Sequence, residues 1–143
     1  TLNISCFSFT KIAYLASSLM ENGGSLVTLS FYGANKVMPN YNVMGVAKAA
    51  LEMSVKYLSV DLGSKNIRVN AISAGPMRTI SGSAIAKARE VYKYTEKNSP
   101  LHRNVHLDEL GNAALYFVSD LSKAVSGEIH YVDCGFNIIG MPQ

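Results

Sequence analysis

Ile67-Arg68-Val69-Asn70-Ala71-Ile72-Ser73-Ala74-Gly75-Pro76 is the stretch on which the fold turns. Residues 67–72 form a short, mostly apolar run with β-branched members, which predicts a strand buried on both faces. The Gly75-Pro76 step lets the backbone approach a ligand closely and fixes the direction in which the chain leaves the strand. Toward the N-terminus, residues 40–63 read as a long helix, with Val55, Leu58 and Val60 continuing its apolar positions. Before it lie a loop, residues 31–39, and a strand of the same buried type, residues 25–30 (S-L-V-T-L-S). Residues 8–20 place Phe9, Ile12, Ala13, Leu15, Ala16, Leu19 and Met20 on one broad helical stripe, which Glu21-Asn22-Gly23-Gly24 stops. Toward the C-terminus come a small, polar loop over residues 77–83, expected to be mobile, and helices over residues 84–98 and 108–119. A third strand at residues 128–132 (E-I-H-Y-V) leads into Asp133-Cys134-Gly135-Phe136.

Helix, strand, helix, strand, helices, strand is the order of a parallel α/β sheet with right-handed crossovers. Three strands alone would leave an apolar strand at a bare edge, and parallel sheets are ordinarily covered and continued. The expectation is therefore an α/β chain that forms the C-terminal part of a doubly wound, parallel-sheet, Rossmann-like fold. Its first strands and glycine-rich phosphate loop would lie outside residues 1–143.

Composition narrows the function. Nearly half of the 143 residues are apolar, and the net charge of +3 is spread without a basic block, so nothing points to a nucleic-acid partner. No apolar run reaches the ~18 residues of a membrane span, and the reading is a cytoplasmic protein. Cys6 and Cys134 form no C-x-x-C and are expected as buried free thiols. His102 and His106 have a spacing that suits a metal, but no acidic or thiol ligand matches them, so they are expected as surface residues with no metal site.

The chemistry is concentrated at N-Y-N-V-M-G-V-A-K-A-A-L-E, residues 40–52. Tyr41 and Lys48 are seven residues apart. In a helix that is about 20° short of two turns and a rise of about 10.5 Å, so both project from one face with Met44 between them. A positive charge near a phenol stabilises the phenolate and makes the hydroxyl a better donor to a carbonyl oxygen gaining negative charge.

Together these residues resemble the enoyl-acyl-carrier-protein reductases of bacterial fatty-acid synthesis, a branch of the short-chain dehydrogenase/reductase superfamily. The resemblance runs through P-N-Y-N-V-M-G-V-A-K-A at residues 39–49, R-V-N-A-I-S-A-G-P-M-R-T at 68–79, S-D-L-S at 119–122 and G-E-I-H-Y-V-D-C-G-F at 127–136. Ordinary members of the superfamily carry Tyr-x3-Lys. Here Gly45 holds that fourth place and the lysine waits until position 48, as in the enoyl reductases.

The resemblance implies a single dinucleotide-binding reductase domain, of which residues 1–143 are the C-terminal portion, using NADH, with NADPH not excluded. It implies that Tyr41 hydrogen-bonds the substrate thioester carbonyl and that Lys48 holds the nicotinamide ribose. Ala74, Gly75, Pro76, Met77, Thr79, Ile80 and Ser81 would pass the cofactor, and Met44 would line the substrate site with Tyr41. Residues 80–93 would cover the substrate. Family members usually have a second tyrosine ten residues before the catalytic one, where this chain has Phe31. Adjacent strand residues point opposite ways, so Tyr32 need not replace the missing hydroxyl, and Phe31 is expected to shape the acyl pocket without donating a hydrogen bond. Lys87, Arg89 and Lys93 suit an acidic acyl-carrier protein, with a solvated face as the plain alternative. Apolar residues in excess on the first two helices, Met53 and Tyr57 among them, suggest a homotetramer. Two other readings stand beside this one: a carbonyl-reducing dehydrogenase, and an inactive fragment that serves only in association.

Overall fold

The computed structural model describes residues 1–80 and 87–141. A π-type turn (Asn3–Phe7) runs into helix α1 (Ser8–Ser17), shorter at its end than the apolar stripe suggests. Strand β1 (Gly24–Phe31) and a 3-10 turn (Tyr32–Ala34) lead to helix α2 (Asn42–Gly63). Strand β2 (Ile67–Ala74) is followed by helices α3 (Ala88–Asn98) and α4 (Leu107–Val118) and strand β3 (Ile129–Val132). The expected loop at residues 77–83 and the start of the helix expected from residue 84 fall partly on residues 81–86, outside the described residues.

The sheet has the order β1-β2-β3 with both pairs parallel, from Gly24 opposite Ile67 to Phe31 opposite Ala74, and from Ala71 opposite Ile129 to Ala74 opposite Val132. Alternation along β2 divides the apolar residues into two cores. Ile67, Val69 and Ala71 pack on Val55 and Leu62 of α2, while Ile72 and Ala74 pack on Leu110 and Phe117 of α4. Helices thus cover both faces of the sheet. Each fully buried Val or Ile in β2 contributes roughly 1.5–3 kcal/mol, so this central strand anchors both layers.

Two expectations need correction. β1 is not buried on both faces: Leu29 is 54% exposed, because β1 pairs with β2 alone among the described residues. Nor are both crossovers right-handed. The chain steps from β1 to β2 past α2 on one face and from β2 to β3 past α4 on the other, moving the same way across the sheet, and those two steps have opposite hands. The second passage is long enough, with two helices in it, to change faces.

Buried polar residues align these passages. Asn70, fully enclosed in β2, donates to the Val125 carbonyl (2.9 Å) and accepts from the Glu128 amide (3.0 Å), which sets the entry into β3. Asp133, just past β3, accepts from the amides of Gly135 (3.0 Å) and Asn137 (2.8 Å) and holds the C-terminal turn. The two thiols are free and half-buried, less enclosed than expected.

Candidate active site

β1 and β2 end side by side, and the chain leaving β1 folds back to start α2 beside them. Tyr41 sits at that start. It caps the helix at φ −111°, ψ 16° and does not lie within it, as the spacing argument assumes. Its carbonyl already accepts the first helical bond, from the Gly45 amide at 2.6 Å, so the offset from Lys48 stays close to two turns.

The Tyr41 side chain is enclosed, with 8% of its surface exposed. Its ring meets that of Phe31 edge to face, with centroids 5.0 Å apart and planes at 64°. Two glycines make room. A Cβ on Gly33 would stand 2.5 Å from Tyr41 Cδ1, and a Cβ on Gly45 would stand 2.8 Å from the Gly33 carbonyl oxygen. Gly45 therefore holds the fourth place after Tyr41 because the 32–34 turn packs against it.

Lys48 is also drawn to the end of β1, where its Nζ donates to the Leu29 carbonyl at 2.7 Å. Burial lowers its pKa, against the opposing fields of Glu52 and Cys6. For Tyr41 burial acts the other way and raises the pKa. Loss of hydration around the packed ring sets the direction of the Tyr41 shift, which runs opposite to the effect expected of the lysine charge.

Behind Lys48 lies a cluster that the sequence reading missed. Glu52, 7% exposed, accepts from Ser30 Oγ at 2.5 Å and from Asn35 Nδ2 at 2.9 Å, and Asn35 also donates to the Tyr131 hydroxyl at 3.0 Å. The signal was there in a carboxylate four residues after Lys48 on an otherwise apolar helix face.

The other named residues separate. Met44 accepts a contact from Ser5 Oγ at 3.7 Å, so its sulfur faces the N-terminal turn. The Tyr32 ring lies against Phe136, with centroids 5.5 Å apart, whereas that of Phe31 lies against Tyr41. An open cavity of about 460 Å³ runs from the 32–39 loop to α3, walled by Tyr32, Met38, Val91, Tyr94, Phe136 and Ile139. At the exit of β2, Ala74 and Gly75 are buried, Pro76 and Met77 half-buried, and Arg78, Thr79 and Ile80 exposed. Gly75 is pressed against the chain just past β3, where a Cβ would stand 3.0 Å from Asp133 Cα. Arg78 lies over the Tyr92 ring, 4.9 Å from its centroid. Ser81 falls outside the described residues. His102 and His106 are exposed, and His106 donates its amide to Glu109 at 2.8 Å at the start of α4. Among the described residues no group of acidic, His or Cys side chains is arranged to hold a metal.

Parallel strands between two helix layers, with a tyrosine and a lysine gathered at the strand exits, define the C-terminal part of a Rossmann-like fold of the short-chain dehydrogenase/reductase type. The chain belongs to the enoyl-(acyl carrier protein) reductase family, whose sequence model matches residues 1–137. It is 60% identical over 142 residues to the enoyl-[acyl-carrier-protein] reductase [NADH] 2 of Rhizobium meliloti (strain 1021), covering 99% of this chain and 53% of that protein. The crystal structure of the reductase of Anaplasma phagocytophilum, in complex with NAD, superposes with a TM-score of 0.95 at 57% identity, covering all of this chain and 55% of that one. The Bacillus cereus reductase, with NADP+ and indole naphthyridinone, gives 0.95 at 47% identity, over 98% of this chain and 55% of that one. The chain spans about half the length of the curated relatives it matches.

Proposed function

We propose that the protein containing these residues is an enoyl-acyl-carrier-protein reductase that reduces the trans-2 double bond of enoyl thioesters with NADH. The observation that carries this reading is the convergence of Tyr41 and Lys48 on the last three residues of β1: Lys48 bonds the Leu29 carbonyl and Tyr41 packs on Phe31. The family and the 60% identical NADH reductase support it.

The donors fit a nicotinamide nucleotide. Lys48 has three N–H donors and spends one on Leu29, which leaves two for vicinal ribose hydroxyls at the crevice beyond the strand ends. The backbone of Pro76 to Ile80 leaves the adjacent strand there, with Gly75 packed so tightly that its path is fixed. When bound, the cofactor supplies the hydride to the substrate β-carbon. Tyr41, whose protonated form burial favours, donates a hydrogen bond to the thioester carbonyl and stabilises the enolate that forms there. The Lys48 charge favours the same anion. Phe31 shapes the acyl side of the site with no polar group of its own. Residues 74–81 pass the cofactor, Tyr41 and Phe31 bound the substrate, and the glycine-rich turn for the pyrophosphate is supplied by the rest of the domain.

The acyl-carrier protein is proposed as substrate carrier, with exposed Arg89 and Lys93 on α3 suited to its acidic surface. A cytoplasmic homotetramer is proposed on two grounds. No helix among the described residues is long and apolar enough to cross a membrane, and Ile12, Leu15, Val46, Met53, Tyr57 and Val60 leave an apolar surface on α1 and α2. The test follows the oxidation of NADH, and in parallel NADPH, by the intact protein with crotonyl thioesters. Turnover with the enoyl substrate is expected. Reduction of ketones with enoyl thioesters untouched overturns the reading.

A further inference from the structure

Glu52 is an expensive residue where it stands: an acidic side chain 7% exposed between a helix and a sheet. The sheet row beneath it is built to receive it. Ser30, Ser73 and Tyr131 are register partners across β1, β2 and β3, whereas the residues of β2 that face α2 below them, Ile67, Val69 and Ala71, are apolar. On β2 this face turns polar only at the level of Glu52, at Ser73. Ser30 donates to one carboxylate oxygen and Asn35 to the other, and Asn35 also joins Tyr131, so the carboxylate is fixed from two elements and a loop. The Ser73 hydroxyl is fully buried in the same row without a hydrogen-bond partner among the described residues.

Lys48 lies one helical turn before Glu52 and is fastened to the neighbouring residue of the same strand: Leu29 takes the amine through its carbonyl, Ser30 the carboxylate through its hydroxyl. Two consecutive residues at the end of β1 thus hold both members of an i,i+4 pair of opposite charge. We propose that Glu52 is the positioning residue of the site, its clamped carboxylate being the counter-charge that holds the Lys48 ammonium at the exit of β1. The proposal rests on the reading of Lys48 as the cofactor-holding lysine. It gives a cause for keeping a carboxylate in a core where an apolar residue would pack at lower cost.

Few groups among the described residues face Lys48. Glu52 from its own helix and Cys6 from the Asn3–Phe7 turn both favour its charged form, against burial. Tyr131 of β3 reaches the cluster through Asn35, and Tyr41 lies two turns back at the helix start. With the Glu52 charge removed, burial and the weaker help of a half-buried thiol remain.

The experiment uses the intact protein and its Glu52→Gln variant, with lysines reductively methylated with carbon-13 so that NMR reads the titration of Lys48 without any assay of turnover. The expected result is a fall in the Lys48 pKa of about one unit or more. In the NADH assay the same variant should lose kcat/KM at a pH lower by the same amount, through a raised KM for NADH. A Lys48 titration unchanged in a folded variant overturns the proposal and leaves Glu52 a packing residue. Should Glu52→Gln fail to fold, Ser30→Ala decides, because it frees one carboxylate oxygen and must move the Lys48 titration the same way by a smaller amount; no movement overturns the clamp. A wild-type protein that titrates as described but reduces no enoyl thioester refutes the assigned reaction and not this pairing.

Discussion

The rings of Phe31 and Tyr41 meet edge to face, 5.0 Å between centroids, across the gap between the end of β1 and the start of α2. Such a pair adds roughly 0.5–1.5 kcal/mol beyond the area it buries. The contact involves the ring and not the hydroxyl, so packing and chemistry can be separated. Tyr41→Phe keeps the ring in place and removes the donor to the carbonyl. The expected outcome is a kcat for enoyl-thioester reduction lower by about two to three orders of magnitude, with a thermal midpoint close to that of the wild type.

Phe31 occupies the place of the second tyrosine usual in the family, and its edge-to-face contact with Tyr41 gives it a packing role. Phe31→Tyr is therefore expected to change kcat/KM by no more than about threefold, less than 1 kcal/mol. A rise of orders of magnitude in steady-state kinetics would show that a hydroxyl at this place matters to the reaction.

The Gly45 backbone lies so near the Gly33 carbonyl that an added methyl would come within 2.8 Å of a backbone atom that cannot turn aside. Gly45→Ala is expected to cost roughly 1–3 kcal/mol of stability, read as a lower urea midpoint with an unchanged slope. Because the 32–34 turn also holds the Tyr41 ring, kcat should fall with it. Gly33→Ala meets the Tyr41 ring itself at 2.5 Å and should reduce kcat further.

The strand read at 67–72, which the structure carries on to Ala74, was legible because burial on both faces and the Gly-Pro exit act locally, and the structure places Ile67, Val69 and Ile72 in the two cores. The half-burial of β1 was not, since its composition matches that of β2 and only its number of neighbours differs. Helical spacing placed Tyr41 and Lys48 near two turns apart, but the cap conformation of Tyr41 goes with the packing of the 32–34 turn against Gly45, a contact between loop and helix that periodicity does not record. The opposite hands of the two crossovers follow from the face on which α4 packs, and no local residue states that. Glu52 was missed for a different reason: Ser30, Asn35 and Tyr131 are distant in sequence and come together only once the sheet is registered.

Acid stability should report on Glu109. Arg103 grips its carboxylate with two bonds, of 2.8 and 2.6 Å, and the His106 amide adds a third. First the hydrogen-bonded Arg103, then the His106 amide, hold its pKa at about 2. A folded-state pKa below the unfolded value of ~4.3 contributes stability that is fully present above that value and is lost as pH falls toward the folded pKa. Glu109→Gln is expected to flatten the decline in stability between about pH 4.3 and about pH 2, measured by urea denaturation across that range. A decline as steep as in the wild type would place its origin in other carboxylates.

Basic pH should remove activity through Lys48 before Tyr41. Burial lowers the pKa of the amine and raises that of the phenol, which draws the ionisation of Lys48 toward neutral pH and that of Tyr41 away from it. As pH rises, loss of the ammonium is the event expected to end NADH use. The basic limb of kcat/KM for NADH is therefore expected to fit a single ionisation below the ordinary lysine value. Lys48→Arg, which keeps its charge throughout this range, should lower activity but carry the limb to higher pH, because only the tyrosine then remains to titrate. A limb that stays in place in Lys48→Arg would assign it to a group other than this amine and would remove the charge of Lys48 from the account of catalysis.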